Sequence, residues 1–309
     1  MLSRRRCLQT LAVAASLAAT RSATADDKPS DKSSPGASRI WIFTKPIEQL
    51  SFKEVADWLV RWDVGGLEAT ARREGWIEPA DAPLKLPQLV EALAAVDRTG
   101  LIVTTDVNRA DQPDVDLVLK TASQLGVRYF RMAYYKYDFS KKILPQLDAF
   151  AGQATKLAEI CKQLKMTALY QNHAGANYVG APLWDLMHVM QGIDPSSMSI
   201  AIDLRHTTIE AAESWRAGYA RIRDSIGAVF AKDAIYVDGS VNDGPLGRSE
   251  KCKRLFELVQ TDHPTIPISL HMEHIDHRPK ELLPQRLAAI TADVETLKRW
   301  LIPTRRTSQ

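Results

Sequence analysis

The stretch Ser199-Ile200-Ala201-Ile202-Asp203 alternates isoleucines with small or polar residues. Because successive side chains of a β-strand point to opposite faces, the two isoleucines share one face and the other three residues share the opposite face. The same alternation recurs over residues 268–273, where Ser, His and Glu are interleaved with Ile, Leu and Met. In a closed barrel the bulky face packs against helices and the small or polar face points to the axis. Both stretches therefore predict barrel strands.

Strand-like apolar runs alternate with helix-like amphipathic stretches from Arg39 onward. The predicted strands are residues 39–43, 66–70, 101–107, 127–133, 166–173, 198–206, 227–233 and 266–274. The predicted helices are residues 52–62, 86–97, 113–125, 144–164, 183–190, 209–222, 250–260 and 284–301. Eight such units predict an α/β fold, a single (β/α)8 TIM barrel over residues 39–304. An open doubly wound sheet is the alternative, and it is weakened because no G-x-G-x-x-G follows the first strand.

The composition is that of an ordinary globular protein, with 309 residues of which 45% are hydrophobic. Four arginines and no acidic residues precede Asp26, so removing these four charges changes the net charge from +3 to −1. A near-neutral body without a basic run is a poor partner for a polyanion. We therefore expect no nucleic-acid binding.

Residues 1–25 have the charged, apolar and small-residue order of an export signal. Three arginines at positions 4–6 precede an apolar run over residues 11–19, and Ala23-Thr24-Ala25 offers a cleavage site. The paired arginines resemble the twin-arginine signal, with Cys7 where that motif usually carries Phe, which predicts a periplasmic or other extracytoplasmic location. The apolar run is shorter than the ~20 residues that span a bilayer, so no stable membrane anchor is expected. Residues 26–38, rich in Lys, Ser, Pro and Gly, predict a flexible linker.

Three cysteines cannot form a disulfide framework, and Cys7 leaves with the signal. Cys161 and Cys252 fall in helix-like stretches. We expect both to be unpaired residues in or near the core.

Nearly every predicted strand ends in an ionisable or amide side chain. These residues are Glu68, Asp106, Arg131, Gln171, His173, Asp203, His206, Lys232, Asp233, His271 and Glu273. The carboxyl ends of barrel strands meet on the face where barrel enzymes keep their chemistry. Carboxylates, imidazoles and amide oxygens are ligands for divalent metals. A metal bound to adjacent oxygens of a sugar eases formation of an enediolate, and a carboxylate can then move a proton at carbon.

Five short segments within residues 39–277 resemble the xylose isomerase-like barrel superfamily, which includes sugar phosphate isomerases/epimerases and the family 2 apurinic endonucleases. They are residues 170–175 (YQNHAG), 203–206 (DLRH), 231–233 (AKD), 245–247 (PLG) and 270–273 (LHME). The resemblance implies a sugar substrate and one divalent metal held by Glu, Asp, His and Glu from strands five to eight, with the two glutamates transferring protons. Asp203 and Glu273 match two of these ligands, and His206 matches a substrate-contacting position.

Two positions depart from the pattern that the resemblance implies. Gln171 stands where strand five has a ligand glutamate, and Phe230 stands where strand seven has a ligand histidine. A glutamine can lend its carbonyl oxygen to a metal but cannot act as a base, so the two-glutamate shuttle is broken. Lys232 then has two interpretations. It is either a base whose charged form is disfavoured by burial, or an ion-pair partner of Asp203 or Glu273 in the place of the metal.

The predicted site combines three roles. The expected catalytic residues are Glu273 and Lys232. The expected ligands of a divalent metal (Mn, Co, Mg or Zn) are Asp203, Glu273 and Gln171, with His173, His206 or His271 as substitutes for the missing ligands. The expected substrate contacts are His173, His206, Arg131, Glu68, Trp215 and His271. Further aromatic candidates for stacking on a sugar are Trp76, Tyr134 and Tyr135, whereas structural or loop positions are expected for His188, His263, His274 and His277.

The predicted function is that of an exported isomerase or epimerase that acts on a sugar by metal-assisted enolisation and proton transfer. The alternatives are a lyase on oxidised sugars and a carbohydrate-binding barrel that has lost catalysis, which Gln171 and Phe230 favour. An endonuclease is disfavoured because its multi-metal sites need more ligands and its electrostatics differ. The expected partner is a small sugar, and self-association into a homo-oligomer is left open.

Overall fold

The computed structural model describes residues 39–302. The predicted signal (1–25) and linker (26–38) lie outside the described residues, as do the last two residues of the predicted barrel, 303 and 304. Within the described part of the chain, no helix combines the length and the apolar character needed to cross a bilayer.

Eight parallel strands close into a barrel. They are β1 (Ile40–Phe43), β2 (Gly66–Thr70), β3 (Gly100–Thr104), β4 (Tyr129–Arg131), β5 (Thr167–Gln171), β6 (Met198–Asp203), β7 (Ile226–Ala231) and β10 (Ile268–Leu270). Two further strands, β8 (Asp233–Val237) and β9 (Ser240–Gly244), pair antiparallel as a separate hairpin. The barrel strands are adjacent in chain order, and β1 pairs with β10 to complete the ring. The predicted α/β fold, a (β/α)8 barrel, is confirmed.

Helices connect the strands. They are α1 (Phe52–Trp62), α2 (Ala82–Ala94), α3 (Thr121–Gln124), α4 (Ile143–Leu164), α5 (Trp184–Val189), α6 (Leu204–Ala211), α7 (Trp215–Ile222), α8 (Glu250–Asp262) and α9 (Leu283–Leu301). The local sequence explains where several of them begin. Ser51 and Glu54 form a reciprocal capping box at the start of α1, and the Ser249 hydroxyl caps α8.

The barrel strands have the two chemically distinct faces that the alternation predicts. Ile200 and Ile202 are fully buried in the large outer core, which also contains the apolar faces of the helices. Ala201 belongs instead to a separate inner cluster, which consists of Ile102, Leu169, Ala201, Ala228 and Phe230. Because inward-facing side chains of a barrel pack around its axis, this inner cluster forms an apolar support inside the ring.

The region after β6 differs from the predicted strand over 198–206 and the predicted single helix over 209–222. The strand ends at Asp203, whose carboxylate accepts the backbone N–H of His206 and starts α6 at Leu204. Ala212, with a φ of 45°, then interrupts the helix before α7 begins at Trp215. The capping carboxylate therefore places His206 in the first turn of a helix, not on a strand.

Two other elements are shorter or wound differently than predicted. The last barrel strand ends at Leu270, although the backbone N–H of His271 still donates to the Ala231 carbonyl over 2.9 Å. That hydrogen bond extends the parallel pairing with β7 by one residue beyond the strand end. The predicted helix 113–125 begins with a π-helical turn over Val115–Lys120 before α3.

The hairpin β8–β9 is absent from the predicted elements. Its turn is Asp238-Gly239, with φ values of 49° and 77°, which is the left-handed geometry of the tight turns that favour Asp-Gly. Asp-Gly is a strong hairpin signal. The hairpin was not predicted because it begins one residue after β7, where the strand–helix alternation predicts a helix next. The hairpin brings Asp243 to within 2.7 Å of Nε of Arg205 in α6.

Cys161 and Cys252 are both buried free thiols, which confirms the expectation of two unpaired core cysteines. Burial raises the pKa of each thiol to about 12. Both side chains therefore stay protonated at neutral pH and behave as small core residues.

Candidate functional site

Four side chains from separate strand ends form one continuous line of contacts, which we call the mouth cluster: Gln171, Asp203, Lys232 and Glu273. Nε2 of Gln171, at the end of β5, donates to Oδ2 of Asp203, at the end of β6, over 2.8 Å. The same Asp203 oxygen lies 3.5 Å from Nζ of Lys232, which follows β7. Lys232 Nζ in turn donates to Oε2 of Glu273 over 2.9 Å. The carboxyl ends of the strands thus meet around one site.

Lys232 is the positive centre of the mouth cluster, and its side chain is only 5% exposed. Burial alone would lower the pKa of Lys232, but the carboxylates of Asp203 and Glu273 outweigh burial and raise that pKa above its ordinary value. The ammonium is therefore charged at neutral pH and has no lone pair to accept a proton. The geometry and the charges favour the interpretation of Lys232 as an ion-pair partner.

Both carboxylates of the mouth cluster are held in their ionised form. Burial would raise the pKa of the fully buried Asp203, but the Lys232 ammonium and the hydrogen bond from the backbone N–H of His206 lower it. Burial would likewise raise the pKa of Glu273, and Lys232, His271 and Lys45 bring it well below its ordinary value. Nζ of Lys45, two positions after the end of β1, lies 3.5 Å from Oε1 of Glu273. Glu273 is therefore held between two lysines.

A second buried cluster surrounds Glu68 inside the barrel. The hydroxyls of Thr104 and Ser269 donate to its carboxylate, while Arg131 Nη1 and His271 Nε2 lie 3.3 and 2.8 Å from it. Burial would raise the pKa of Glu68, but His271 and Arg131 lower it to about 2. Glu68 is fully buried and engaged by these neighbours, so it holds Arg131 and His271 in place. Contact of Glu68, Arg131 and His271 with substrate stays a prediction.

Phe230 occupies the place where the resemblance implies a ligand histidine. Its buried ring packs against His271, with the ring centroids 4.5 Å apart, and lies 5.9 Å from the guanidinium of Arg131. Phe43 also stacks on His271, at a centroid distance of 4.4 Å. An apolar ring of the inner cluster, not a nitrogen donor, therefore fills this position.

The residues present do not fit the divalent metal that the resemblance implies. Oε1 of Gln171 accepts hydrogen bonds from Arg131 and from the hydroxyl of Tyr134, over 3.0 and 2.6 Å, so its carbonyl oxygen is already engaged. The carboxylate oxygens of Asp203 and Glu273 face N–H donors or lysine ammonium groups. Within residues 39–302, no group of three or more His, Cys, Asp and Glu side chains is arranged to hold a metal ion.

The rings of His173 and His206 contact each other beside the mouth cluster, with their centroids 3.9 Å apart and their planes tilted by 39°. Nδ1 of His173 lies 2.7 Å from the carbonyl oxygen of Ala174. Because a carbonyl only accepts, Nδ1 carries the proton and Nε2 keeps its lone pair. Burial lowers the pKa of His173 and lowers that of His206 to about 2, so both rings are neutral at pH 7. Nε2 of His206 is buried without a hydrogen-bond partner in the described residues, 3.8 Å from Oδ2 of Asp203.

A cavity of about 210 Å³ opens beside the mouth cluster. It is lined by Lys45, Pro46, His173, Asp243, Met272, Glu273, Ile275 and His277. Tyr134 and Tyr178 pack against the His173 ring, at centroid distances of 5.1 and 4.6 Å. Charges of both signs, a neutral imidazole and adjacent aromatic rings suit a small polyhydroxylated ligand.

Trp215 lies apart from the other predicted substrate contacts. It begins α7, is 5% exposed, and lines a groove on the helical layer together with Tyr219 and Arg254. Helix α6 and the break at Ala212 separate Trp215 from the strand end at Asp203. The structure thus places Trp215 outside the mouth cluster, with its ring packed into the outer core, and its contact with a substrate stays a prediction.

Other candidates have structural roles. The Tyr135 hydroxyl donates to the Asn108 carbonyl, and the Trp76 indole N–H donates to the Leu50 carbonyl. Oδ2 of Asp233 accepts the backbone N–H groups of residues 247–249 and so fixes the loop before α8. Asp106, His188 and His263 also bind neighbouring side-chain or backbone groups outside the mouth cluster.

Sequence reasoning missed three residues that shape the site. Lys45 is an ionisable side chain two positions after the first strand, so the strand-end rule could have found it. Asn172 accepts the backbone N–H of Asp203 over 2.8 Å and donates to Thr207 over 3.0 Å, which ties β5 to β6 and α6. Asp243 reaches the cavity on the hairpin, for which the Asp238-Gly239 turn was the available signal.

Comparison with known proteins identifies similar families and folds. A sequence profile described as "Xylose isomerase-like TIM barrel" matches residues 76–300. D-psicose 3-epimerase from Clostridium cellulolyticum H10 has a similar structure, with a TM-score of 0.61, 12% identity, and coverage of 85% of this chain and 99% of that chain. The 3-keto-D-glucoside 4-epimerase of E. coli matches with a TM-score of 0.59 and 13% identity, over 84% of this chain and 99% of that chain. The probable 3-DHS dehydratase of Bacillus anthracis matches with a TM-score of 0.62 and 12% identity, over 82% of this chain and 98% of that chain. These identities support likeness of fold alone. A search of curated protein sequences finds no significant match.

Proposed function

Because the chain belongs to the xylose isomerase-like TIM barrel family, we propose that it is a sugar-active enzyme that moves a proton at a carbon atom next to a carbonyl group. The observation that carries this proposal is the Lys232 ammonium, held between the carboxylates of Asp203 and Glu273 next to the cavity. The similar structures include two sugar epimerases and a dehydratase, and those names agree with this class of reaction.

Lys232 supplies the positive charge that such a reaction needs. Removal of a proton next to a carbonyl leaves an enediolate, whose oxygen carries negative charge. A fixed cation in a water-poor site stabilises that charge far more than the same cation in bulk water would. We assign Lys232 to this electrostatic role. Glu273 then holds Lys232 in place and borders the substrate, because it faces both the ammonium and the cavity.

His173 is the base in this proposal. The pKa of Glu273 lies well below its ordinary value, which makes its carboxylate a weak base, and the protonated Lys232 has no lone pair. His173 is neutral, keeps a lone pair on Nε2 and lines the cavity. Nε2 takes the proton from carbon and becomes an imidazolium. Return of that proton from the imidazolium to the neighbouring carbon gives an isomer. An epimer forms when a water molecule delivers a proton to the other face of the same carbon, and the His173 imidazolium then releases its proton to solvent.

The substrate that we propose is a small sugar or sugar derivative with a carbonyl group, met outside the cytoplasm. The charged and polar groups that line the cavity support a polyhydroxylated molecule, and the sequence of residues 1–25 supports export. The predicted metal-assisted step is not part of this mechanism, because the residues at the mouth do not fit the ion.

A carbohydrate-binding barrel without catalysis is the second candidate. It is favoured by Gln171, which stands where a catalytic carboxylate would be needed and is hydrogen-bonded to Arg131 and Asp203. A binding protein would retain the cavity and the aromatic rings around His173 but would leave every carbon-bound hydrogen in place. Isotope exchange therefore separates the two candidates.

The proposed function is tested by solvent exchange, which does not require the product to be known. The mature protein is incubated in D2O with aldopentoses, ketohexoses such as D-psicose, keto-glycosides and their phosphates, and deuterium at carbon is followed by NMR. Exchange is expected for at least one carbonyl sugar and is expected to be lost in Lys232→Met. The matched control is Lys53→Met on α1, whose side chain is 82% exposed, and it should exchange like wild type.

Because Lys232→Met leaves two buried carboxylates without their counter-ion, Lys232→Arg is measured alongside it. Partial exchange in the arginine variant supports the electrostatic role. A ligand-induced thermal shift without exchange of any sugar would favour the binding protein instead. Neither exchange nor a thermal shift with any sugar of the panel would overturn both candidates.

A further inference from the structure

We infer that Lys232 and Lys45 together replace a divalent cation, so that the mouth cluster acquires a metal site only when Lys232 is removed. The two ammonium groups bracket one carboxylate: Oε2 of Glu273 lies 2.9 Å from Lys232 and Oε1 lies 3.5 Å from Lys45. Two ammonium groups with one positive charge each thus flank Glu273. Together they carry the charge of one divalent ion.

The carboxylates around Lys232 are placed as they would be around a shared cation. Asp203 comes from the end of β6 and Glu273 from the segment after β10, and they approach the same Nζ at 3.5 and 2.9 Å. Asp203 is fully buried, so its charge requires a partner within the barrel. A tethered ammonium fulfils this requirement permanently, whereas a metal would have to be taken up.

An unpartnered nitrogen lies beside this position. Nε2 of His206 is buried, lacks a hydrogen-bond partner within residues 39–302 and is 3.8 Å from Oδ2 of Asp203. Imidazole nitrogen and carboxylate oxygen are the ligands that Mn, Co and Zn accept. In the wild-type structure the side chains of Asp203, Glu273 and His206 do not surround one point. With the Lys232 side chain shortened, Asp203 and Glu273 would close on the vacated volume, and His206, whose Nδ1 faces Arg205 Nη1 at 3.4 Å, would have to move its proton from Nε2 to Nδ1 to become the third ligand. Water would complete the coordination.

The experiment compares wild type with Lys232→Ala in metal-free buffer. Titration with MnCl2 or CoCl2 is followed by calorimetry, and Co2+ is also followed by its visible absorption, which reports the type and number of ligands. Wild type is expected to bind no ion and to show a Tm that EDTA and Mn2+ leave unchanged. Lys232→Ala is expected to bind one ion per chain, with a Tm that rises on addition of Mn2+.

Two matched variants locate the bound ion. Asp203→Asn in the Lys232→Ala background should abolish binding, and Lys232→Arg, which keeps the charge, should bind no metal. A folded Lys232→Ala protein that binds neither Mn2+ nor Co2+ would overturn the inference. If Lys232→Ala does not fold, the wild-type protein is tested with EDTA instead. Wild-type protein that holds one metal ion per chain and loses it to EDTA with a fall in Tm would overturn the inference. A Tm that EDTA leaves unchanged supports the inference. No substrate is needed, so the outcome is independent of the proposed function.

Discussion

The backbone N–H of His206 donates to Oδ1 of Asp203 over 2.9 Å, while Oδ2 of the same carboxylate faces Lys232. One buried side chain therefore begins α6 and balances the ammonium of the mouth cluster. Each function makes a separate contribution to stability. Removal of one partner from a buried ion pair costs about 3–5 kcal/mol, and loss of an N-cap costs about 1 kcal/mol.

These contributions predict different effects for two substitutions at position 203. Asp203→Ala loses both the charge and the cap, whereas Asp203→Asn keeps an oxygen that can accept the N–H of His206. We expect the alanine variant to be less stable than the asparagine variant by about 1 kcal/mol in urea unfolding at pH 7. Asp57→Ala on exposed α1 should change the free energy of unfolding by less than about 0.5 kcal/mol. Equal stabilities for the two Asp203 variants would show that the cap contributes nothing.

Asp293 predicts a pH dependence of stability with a defined sign. Burial raises its pKa from 3.8 to about 6, although its carboxylate accepts the backbone N–H of Leu246 over 2.9 Å. The folded state therefore keeps a proton that the unfolded chain releases above pH 3.8. Stability from this group is present at low pH and is lost as the pH rises through about 6.

Asp293→Asn should remove this loss, because the amide oxygen can still accept the N–H of Leu246 without carrying charge. We expect a gain of up to about 3 kcal/mol in the free energy of unfolding at pH 7.5 and little gain at pH 4. Urea unfolding at both pH values measures the difference. A gain that is equal at the two pH values would contradict the assignment to ionisation of Asp293.

The proposed base predicts a pH profile for solvent exchange. Burial lowers the pKa of His173 from 6.5, so the neutral ring persists below pH 6.5 and the exchange rate should fall only at more acidic pH. His173→Gln should lower the rate by roughly 10²–10⁴-fold and remove the acidic limb of the profile. His188→Gln is the control, because His188 is paired with Asp148 on the helical surface. An unchanged profile in His173→Gln would exclude His173 as the base.

The proposed export signal gives a prediction that concerns residues 1–25. The paired arginines at positions 4 and 5 are the feature that the twin-arginine route recognises, so Arg4→Lys combined with Arg5→Lys should keep the precursor in the cytoplasm. Cell fractionation and N-terminal sequencing measure the effect, with a mature N-terminus expected at Asp26. Lys28→Arg, beyond the predicted cleavage site, is the control. Export of the double lysine variant at the wild-type level would rule out the twin-arginine interpretation.

The barrel could be predicted from sequence because strand geometry alone decides which side chains face the axis. The alternation over residues 199–203 and 268–273 made that geometry visible, and the strand-end rule selected Gln171, Asp203 and Glu273. The role of Lys232 could not be predicted. A base and an ion-pair partner would both be a lysine at this strand end. What separates them is how near Nζ lies to Glu273 and Asp203, and these distances of 2.9 and 3.5 Å depend on the packing of the whole barrel.

Other differences arise where a local contact overrides a periodic pattern. Residues 204–206 were predicted as the end of a strand, but they form the first turn of α6 because the Asp203 carboxylate caps that helix. Trp215 begins α7 after the break at Ala212, and its ring lies in the outer core. For Glu68, the sequence gives the place at a strand end but not the partners of the carboxylate. Its burial with Arg131 and His271 depends on the closing of the ring.

The pairing of β1 with β10 also has a consequence for the order of events during synthesis. Ser269, His271 and Glu273, which engage Glu68, Lys45 and Lys232, all leave the ribosome after most of the barrel has been made. A nascent chain that stops before residue 268 would leave Glu68 inside an unclosed ring without two of its partners. Assembly is thus a late event of the whole polypeptide, and premature termination would yield a target for proteolysis rather than a smaller working barrel.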